Sequence, residues 1–212
     1  YIHFRMLVLS LIAALWTSAA TIKTQAVPSS PNFVFILSDD QGWPATSVQM
    51  HPALKDSRSD YFQTPNLERF ASQAMRFSQG YAPAALCSPT RRSLQLGQMP
   101  VRQGNEVYET EYPVGNTHLT IPRLLKSVDS RYQAAHFGKW DHRTDIAPEH
   151  FGYDESDGNV GNQPGSITSG FNSKEKWNKY TVTEDPKRIF SLTDRSLDFM
   201  MRNVKDKRPF FL

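Results

Sequence analysis

Apolar residues fall in short runs along this chain, and two periods alternate between the polar breaks. Phe33-Val34-Phe35-Ile36-Leu37 is an unbroken run of aromatic and branched side chains. That composition without alternation predicts a strand from Asn32 to Leu37, buried on both faces. It stops at Ser38-Asp39-Asp40-Gln41-Gly42, which is polar and turn-forming. Thr64-Pro65 reads as a helix cap followed by proline at the first helical position, and Leu67, Phe70, Ala71 and Ala74 then recur at helical spacing. Met75 to Ser78 is strand-like, and Pro89 to Leu96 predicts a helix just after Cys87. Thr120 to Val128 predicts another helix, with Pro122 tolerated in its first turn. Tyr132 to Phe137 predicts a strand ending at Gly138-Lys139-Trp140. Tyr153 to Tyr180 is rich in Gly, Asn and Ser and reads as a long loop over a site. Asp185-Pro186 repeats the cap-plus-proline signal and opens a helix to about Val204. Its apolar side carries Ile189, Phe190, Leu197, Met200 and Met201. Pro209 to Leu212 predicts another buried strand.

Strands that alternate with helices specify an α/β fold: a mostly parallel sheet flanked by helices. In such sheets ligands gather beyond the carboxyl ends of the strands. Asp39-Asp40 and Lys139 each follow a predicted strand end, so both belong on that edge.

The first residues follow a different pattern. His3 and Arg5 precede an apolar run from Met6 to Trp16, and Ser18-Ala19-Ala20 or Thr24-Gln25-Ala26 offers a small-x-small cleavage site. That layout reads as a secretory signal over residues 1–26. The run is short for a stable membrane span, the alternative being a retained anchor. A secreted or periplasmic protein is therefore expected. Pro28 to Pro31 reads as a linker, and 27–212 as part of one domain. Because the chain opens on Tyr1, either Met6 is the start or the sequence is clipped at its front. Composition adds bounds: 212 residues suffice for one core. With 39% hydrophobic and 21% charged residues the chain is neither disordered nor fibrous. Net charge is +3 with scattered Lys and Arg, so no nucleic-acid partner is expected.

Asp39-Asp40 places two carboxylates side by side. Buried, such a pair needs a cation or a proton between them, and oxygen ligands favour Ca²⁺ or Mg²⁺; exposed, it is a solvated turn. Cys87 is the single cysteine, so no internal disulfide can form. It is either a buried, inert thiol or a thiolate favoured by Arg91. A Cys–His hydrolase would take His118, His136 or His142 as base, and the spacing selects none of them. His51, His118, Trp43 and Trp177 read as ordinary surface or core residues.

Cys87-Ser88-Pro89-Thr90-Arg91 resembles the Cys-x-Pro-x-Arg signature of the sulfatase family, part of the alkaline-phosphatase-like superfamily. Pro31 to Asp40 resembles that family's first strand and metal-binding Asp pair. Thr64-Pro65-Asn66-Leu67 resembles its next helix start, and His136-Phe137-Gly138-Lys139-Trp140 its Gly-Lys-Trp block. Arg208-Pro209-Phe210-Phe211-Leu212 resembles its Lys/Arg-Pro-Phe-Phe strand. The resemblance implies that Cys87 is converted to formylglycine by a formylglycine-generating enzyme. The hydrated aldehyde then serves as nucleophile and as a metal ligand beside Asp39 and Asp40. It also implies that Arg91 and Lys139 bind sulfate oxygens of a sulfated small molecule or glycan, aryl or carbohydrate. The family block continues Gly-Lys-Trp-His, whereas here Asp141 stands at that position and His142 follows. Either Asp141 replaces the histidine or His142 swings in as a catalytic group. Leu96 and Gln98 also depart from the stretch that follows the signature. A phosphoryl-transfer relative would carry Ser or Thr in place of Cys87, and a non-catalytic relative would bind sulfated glycans without turnover.

The resemblance places the remaining metal and sulfate ligands beyond Leu212. Calcium takes about 6–8 oxygens, so Asp39, Asp40 and Cys87 alone leave it under-coordinated. The 212-residue chain assayed alone should therefore show no hydrolysis of a sulfate ester, and measurable turnover would refute this.

Overall fold

The computed structural model describes residues 30–104, 118–142, 146–161 and 189–212. The expected signal, Trp177, the stretch 162–180 and the Asp185-Pro186 helix start lie outside the described residues. Strand β1 (Gln133–His136) is central, pairing in parallel with β2 (Glu155–Ser156) on one side and β3 (Phe210–Phe211) on the other. Phe33 bridges Phe211 in parallel on the far side of β3. The Phe33 N–H donates to the Phe210 carbonyl (2.8 Å), and the Phe35 N–H donates to that of Leu212 (2.7 Å). All these segments run the same way, as the α/β pattern requires.

Helices α1 (Pro65–Ala71), α2 (Cys87–Leu96), α3 (Ile121–Val128) and α4 (Ile189–Lys205) accompany the sheet. Neighbouring strand residues face opposite sides, so Ala134 and Ala135 sort the two hydrophobic clusters. Ala134 and Phe211 pack with Leu96 of α2, Trp140, Phe151 and Tyr153, with Ile121 and Leu125 of α3 against them. Ala135 and Phe210 pack with Phe199 of α4 on the other face. Thr120 caps α3, its hydroxyl oxygen accepting the Arg123 N–H at 3.3 Å. Gly97, at φ +61°, ends α2 in the left-handed conformation that glycine adopts without strain. No helix among the described residues is long and apolar enough to cross a membrane.

Several expectations need correcting. Among the described residues Phe33 to Leu37 is not covered on both faces: each residue is at least 42% exposed. Among the described residues its ladder partner is β3, while the two clusters cover β1 and β3. Met75 to Ser78 has no strand partner among the described residues and is irregular, with Met75 and Phe77 exposed. Helix α1 stops before Ala74, and the Thr64 hydroxyl bonds Ser47 in place of capping the helix. The α4 stripe is mostly exposed at Ile189, Phe190, Leu197 and Met201; the helix packs through Phe199 and Asn203. Helix α2 starts at Cys87 itself, putting Pro89 in its first turn. Two-residue β2 interrupts what reads as loop, being too short and polar to show a period.

Trp140 is fully buried, stacked on His142 (3.8 Å between centroids) and met edge-on by His136 (4.9 Å). Burial, with the Arg91 charge, pushes His136 down to about 4. Burial likewise holds His142 well below the ordinary histidine value. The unfolded chain therefore binds protons that the native state refuses, and stability falls as pH drops from about 6.5 towards 4. For His136 the loss is at most about 3 kcal/mol. Urea unfolding across that window should show the slope, and His136→Gln should reduce it, leaving the part that His142 contributes.

Candidate active site

Parallel strands deliver their following residues to one edge, and there the site assembles. Asp39 leaves the Phe33–Leu37 segment and Lys139 leaves β1, as expected from the sequence. Lys139 Nζ lies 2.8 Å from Asp39 Oδ2 and 3.1 Å from Oδ1. Arg91 Nη2 approaches Asp39 Oδ1 at 3.1 Å, while its Nη1 donates to the Lys139 carbonyl. One carboxylate thus holds two cations from different elements. Burial would raise its pKa, but hydrogen bonds and charge from Lys139 and Arg91 outweigh that and keep Asp39 below the usual carboxylate range. The arrangement persists above the unfolded carboxylate pKa and weakens as pH falls through the depressed one.

Cys87 and Arg91 sit one helical turn apart, which puts them on one face of α2. Cys87 is the first helical residue, where exposed backbone N–H groups and the helix dipole favour an anion. Asp40 follows Asp39 in a left-handed conformation (φ +55°) and is exposed.

Asp141 is buried and left-handed (φ +49°), with its carboxylate 3.7 Å from Lys139 Nζ. The Trp140 and Asp141 N–H groups both donate to the Val160 carbonyl, which fixes the loop beyond Lys139. His142 does not join this cluster. Its ring is 1% exposed and packs between Trp140 and Phe151. Arg92, buried beside Arg91, donates through Nε to the His142 carbonyl at 2.7 Å and so anchors the same loop. Sequence reading missed Arg92, because an Arg-Arg pair in a helix gives no sign that one member turns inward.

The hard carboxylates of Asp39 and Asp40 fit calcium or magnesium in kind. Yet among the described residues no three His, Cys, Asp or Glu side chains lie together as a ligand group. The expected set of Asp39, Asp40 and Cys87 is not assembled there, since the Asp39 oxygens face Lys139 and Arg91.

Comparison with known proteins gives a consistent picture. N-acetylgalactosamine-6-sulfatase of Sus scrofa is 34% identical over 152 residues, covering 65% of this chain and 27% of that protein. The Homo sapiens protein of that name is 32% identical over 60% of this chain and 25% of its own length. Arylsulfatase A of Bos taurus is 37% identical over 43% and 17% respectively. The chain thus spans about a quarter of the length of the first of these relatives. A protein solved with its substrate D-glucosamine-2-N,6-O-disulfate aligns with a TM-score of 0.48 and 28% identity, over 59% of this chain and 22% of that one. The profile described as Sulfatase matches residues 31–212, and the chain belongs to the sulfatase family.

Proposed function

We propose that the protein hydrolyses sulfate esters, using a nucleophile made from Cys87 at the sheet edge. The observation that carries this is the convergence of Arg91 and Lys139 on Asp39, with Cys87 one helical turn from Arg91. A formylglycine-generating enzyme, with dioxygen as the oxidant, converts the Cys87 side chain to an aldehyde, the sulfur leaves as sulfide, and water hydrates the aldehyde. One hydroxyl of the hydrate attacks sulfur, the S–O bond to the alcohol breaks, and the alcohol leaves with a proton. The second hydroxyl then gives up its proton, the bond to sulfate breaks, and the aldehyde returns. A serine alcohol has no second hydroxyl and cannot complete that last step.

Arg91 and Lys139 supply positive charge against the sulfate oxygens as charge shifts in the transition state. Asp39 holds both cations at a fixed distance from each other. Asp141 takes the position of the family histidine, holding Lys139 from a second side, and His142 supports the loop from the core. Asp39 and Asp40 would be donors for calcium or magnesium. Such an ion adds charge and lowers the pKa of a neighbouring hydroxyl. Relatives named N-acetylgalactosamine-6-sulfatase favour a carbohydrate sulfate over an aryl one. The basic and apolar start of the chain supports export to a secreted or periplasmic location.

The test uses this chain at the full length of its relatives, produced with a formylglycine-generating enzyme. Mass analysis of the Cys87 peptide should show thiol replaced by aldehyde, and Cys87→Ala should abolish turnover. Lys139→Ala or Arg91→Ala should lower kcat by about 100-fold or more. Chelation should stop turnover and calcium restore it. An unmodified thiol with retained glycan binding and no turnover would refute hydrolysis.

A further inference from the structure

The Gly138-Lys139 step depends on a carboxylate outside the cluster described above. Beyond the His136–Ser156 pair, a continuing parallel ladder would direct the Gly138 N–H to the backbone carbonyl of residue 157. It donates instead to the side chain, at 2.7 Å from Asp157 Oδ2. The Asp157 N–H donates to the His136 carbonyl at 3.2 Å. Asp157 therefore holds the chain on both sides of Phe137, where β1 ends and the backbone turns. Gly138 makes that turn at φ +93°, and a Cβ there would come 3.0 Å from Leu192 of α4. The loop is thus confined between Asp157 and α4, and the next residue is Lys139.

The Asp157 side chain is only 4% exposed, and a buried carboxylate needs a partner. Arg195 of α4 provides it, donating from Nη1 to Asp157 Oδ1 while its guanidinium lies 5.2 Å from the Phe137 ring centroid. Arg195 also bonds the Ser191 carbonyl one turn back, which restrains its stem.

We infer that Asp157 is a positioning residue that fixes Lys139 against Asp39, and that Arg195 orients Asp157 for that task. Asp157 touches neither Asp39 nor a reacting atom; it acts by deciding where β1 lets go of the chain. That Lys139 then meets a sulfate rests on the function proposed above, whereas its placement against Asp39 does not.

The experiment compares acylation rates of individual lysines in the protein, read by peptide mass spectrometry with an amine-reactive ester. Lys139 has a 13% exposed side chain and should react slowly. Lys55 and Lys126 of the same molecules are internal references. Asp157→Ala should raise the Lys139 rate relative to the references about fivefold, as a locally released segment does. Asp157→Asn keeps an oxygen for the Gly138 N–H and should restore most of the protection. Arg195→Gln should fall between the two. Phe199→Leu loosens the same face of the sheet without touching this acceptor and should leave the ratio unchanged. If Asp157→Ala leaves the Lys139 ratio at the wild-type value, or if Asp157→Asn and Phe199→Leu raise it equally, the inference is wrong. Should the alanine variant fail to fold, the Asn, Gln and Leu variants decide alone. Carbohydrate sulfate turnover of the unsubstituted protein, at the full length of its relatives and with Cys87 converted, is measured alongside and separates the two proposals. A protein without turnover whose Lys139 still depends on Asp157 would defeat the reaction and keep the positioning role.

Discussion

A single carboxylate, that of Asp39, sets the charge balance on which this edge of the sheet depends. Arg91 and Lys139 have side chains only 9% and 13% exposed, and they approach each other closely enough for Arg91 to bond the Lys139 carbonyl. Two cations so placed repel unless a negative group lies between them. Asp39 is that group, itself 43% exposed, so its attraction is screened and modest for either pair alone. Its consequence is geometric: it ties the first extended segment, α2 and the loop after β1 to one point. Asp141 answers Lys139 from the other side, and the Arg92 charge lies within reach of Asp141.

Much of this was readable from order and type of residue. Parallel strands force Asp39 and Lys139 onto one edge, so their meeting followed from the alternation of strand and helix patterns. Cys87 and Arg91 at a spacing of four needed only a helix between them, and α2 supplies it. What escaped was set by packing that leaves no period in the sequence. His142 reads as an available imidazole, but the indole of Trp140 offers a flat apolar surface and the ring lies on it. The face of α4 that meets the sheet is decided by Phe199 and Asn203, although a hydrophobic count favours Ile189 and Met201. Phe33 to Leu37 has the composition of a covered strand, yet the described residues leave it largely open to solvent.

Membership of the sulfatase family gives these contacts a chemical meaning. Cations gathered at a helix start form an anion site of a general kind. Here the two cations are held together by an aspartate, so part of the cost of bringing like charges together is met on folding.

The two alanines of β1 have a mechanical consequence. With Ala134 and Ala135 facing opposite sides and both 1% exposed, the middle of the sheet is as thin as a side-chain-bearing sheet can be. Packed interiors have little compressibility, and a wall this thin has no long side chain to absorb a displacement. A shift of α4 against Phe210 is therefore felt on the other face by Phe211, Leu96 and the helix that begins at Cys87. The sheet works there as a diaphragm, and the far layer belongs to the mechanics of the Cys87 helix start as much as the near one.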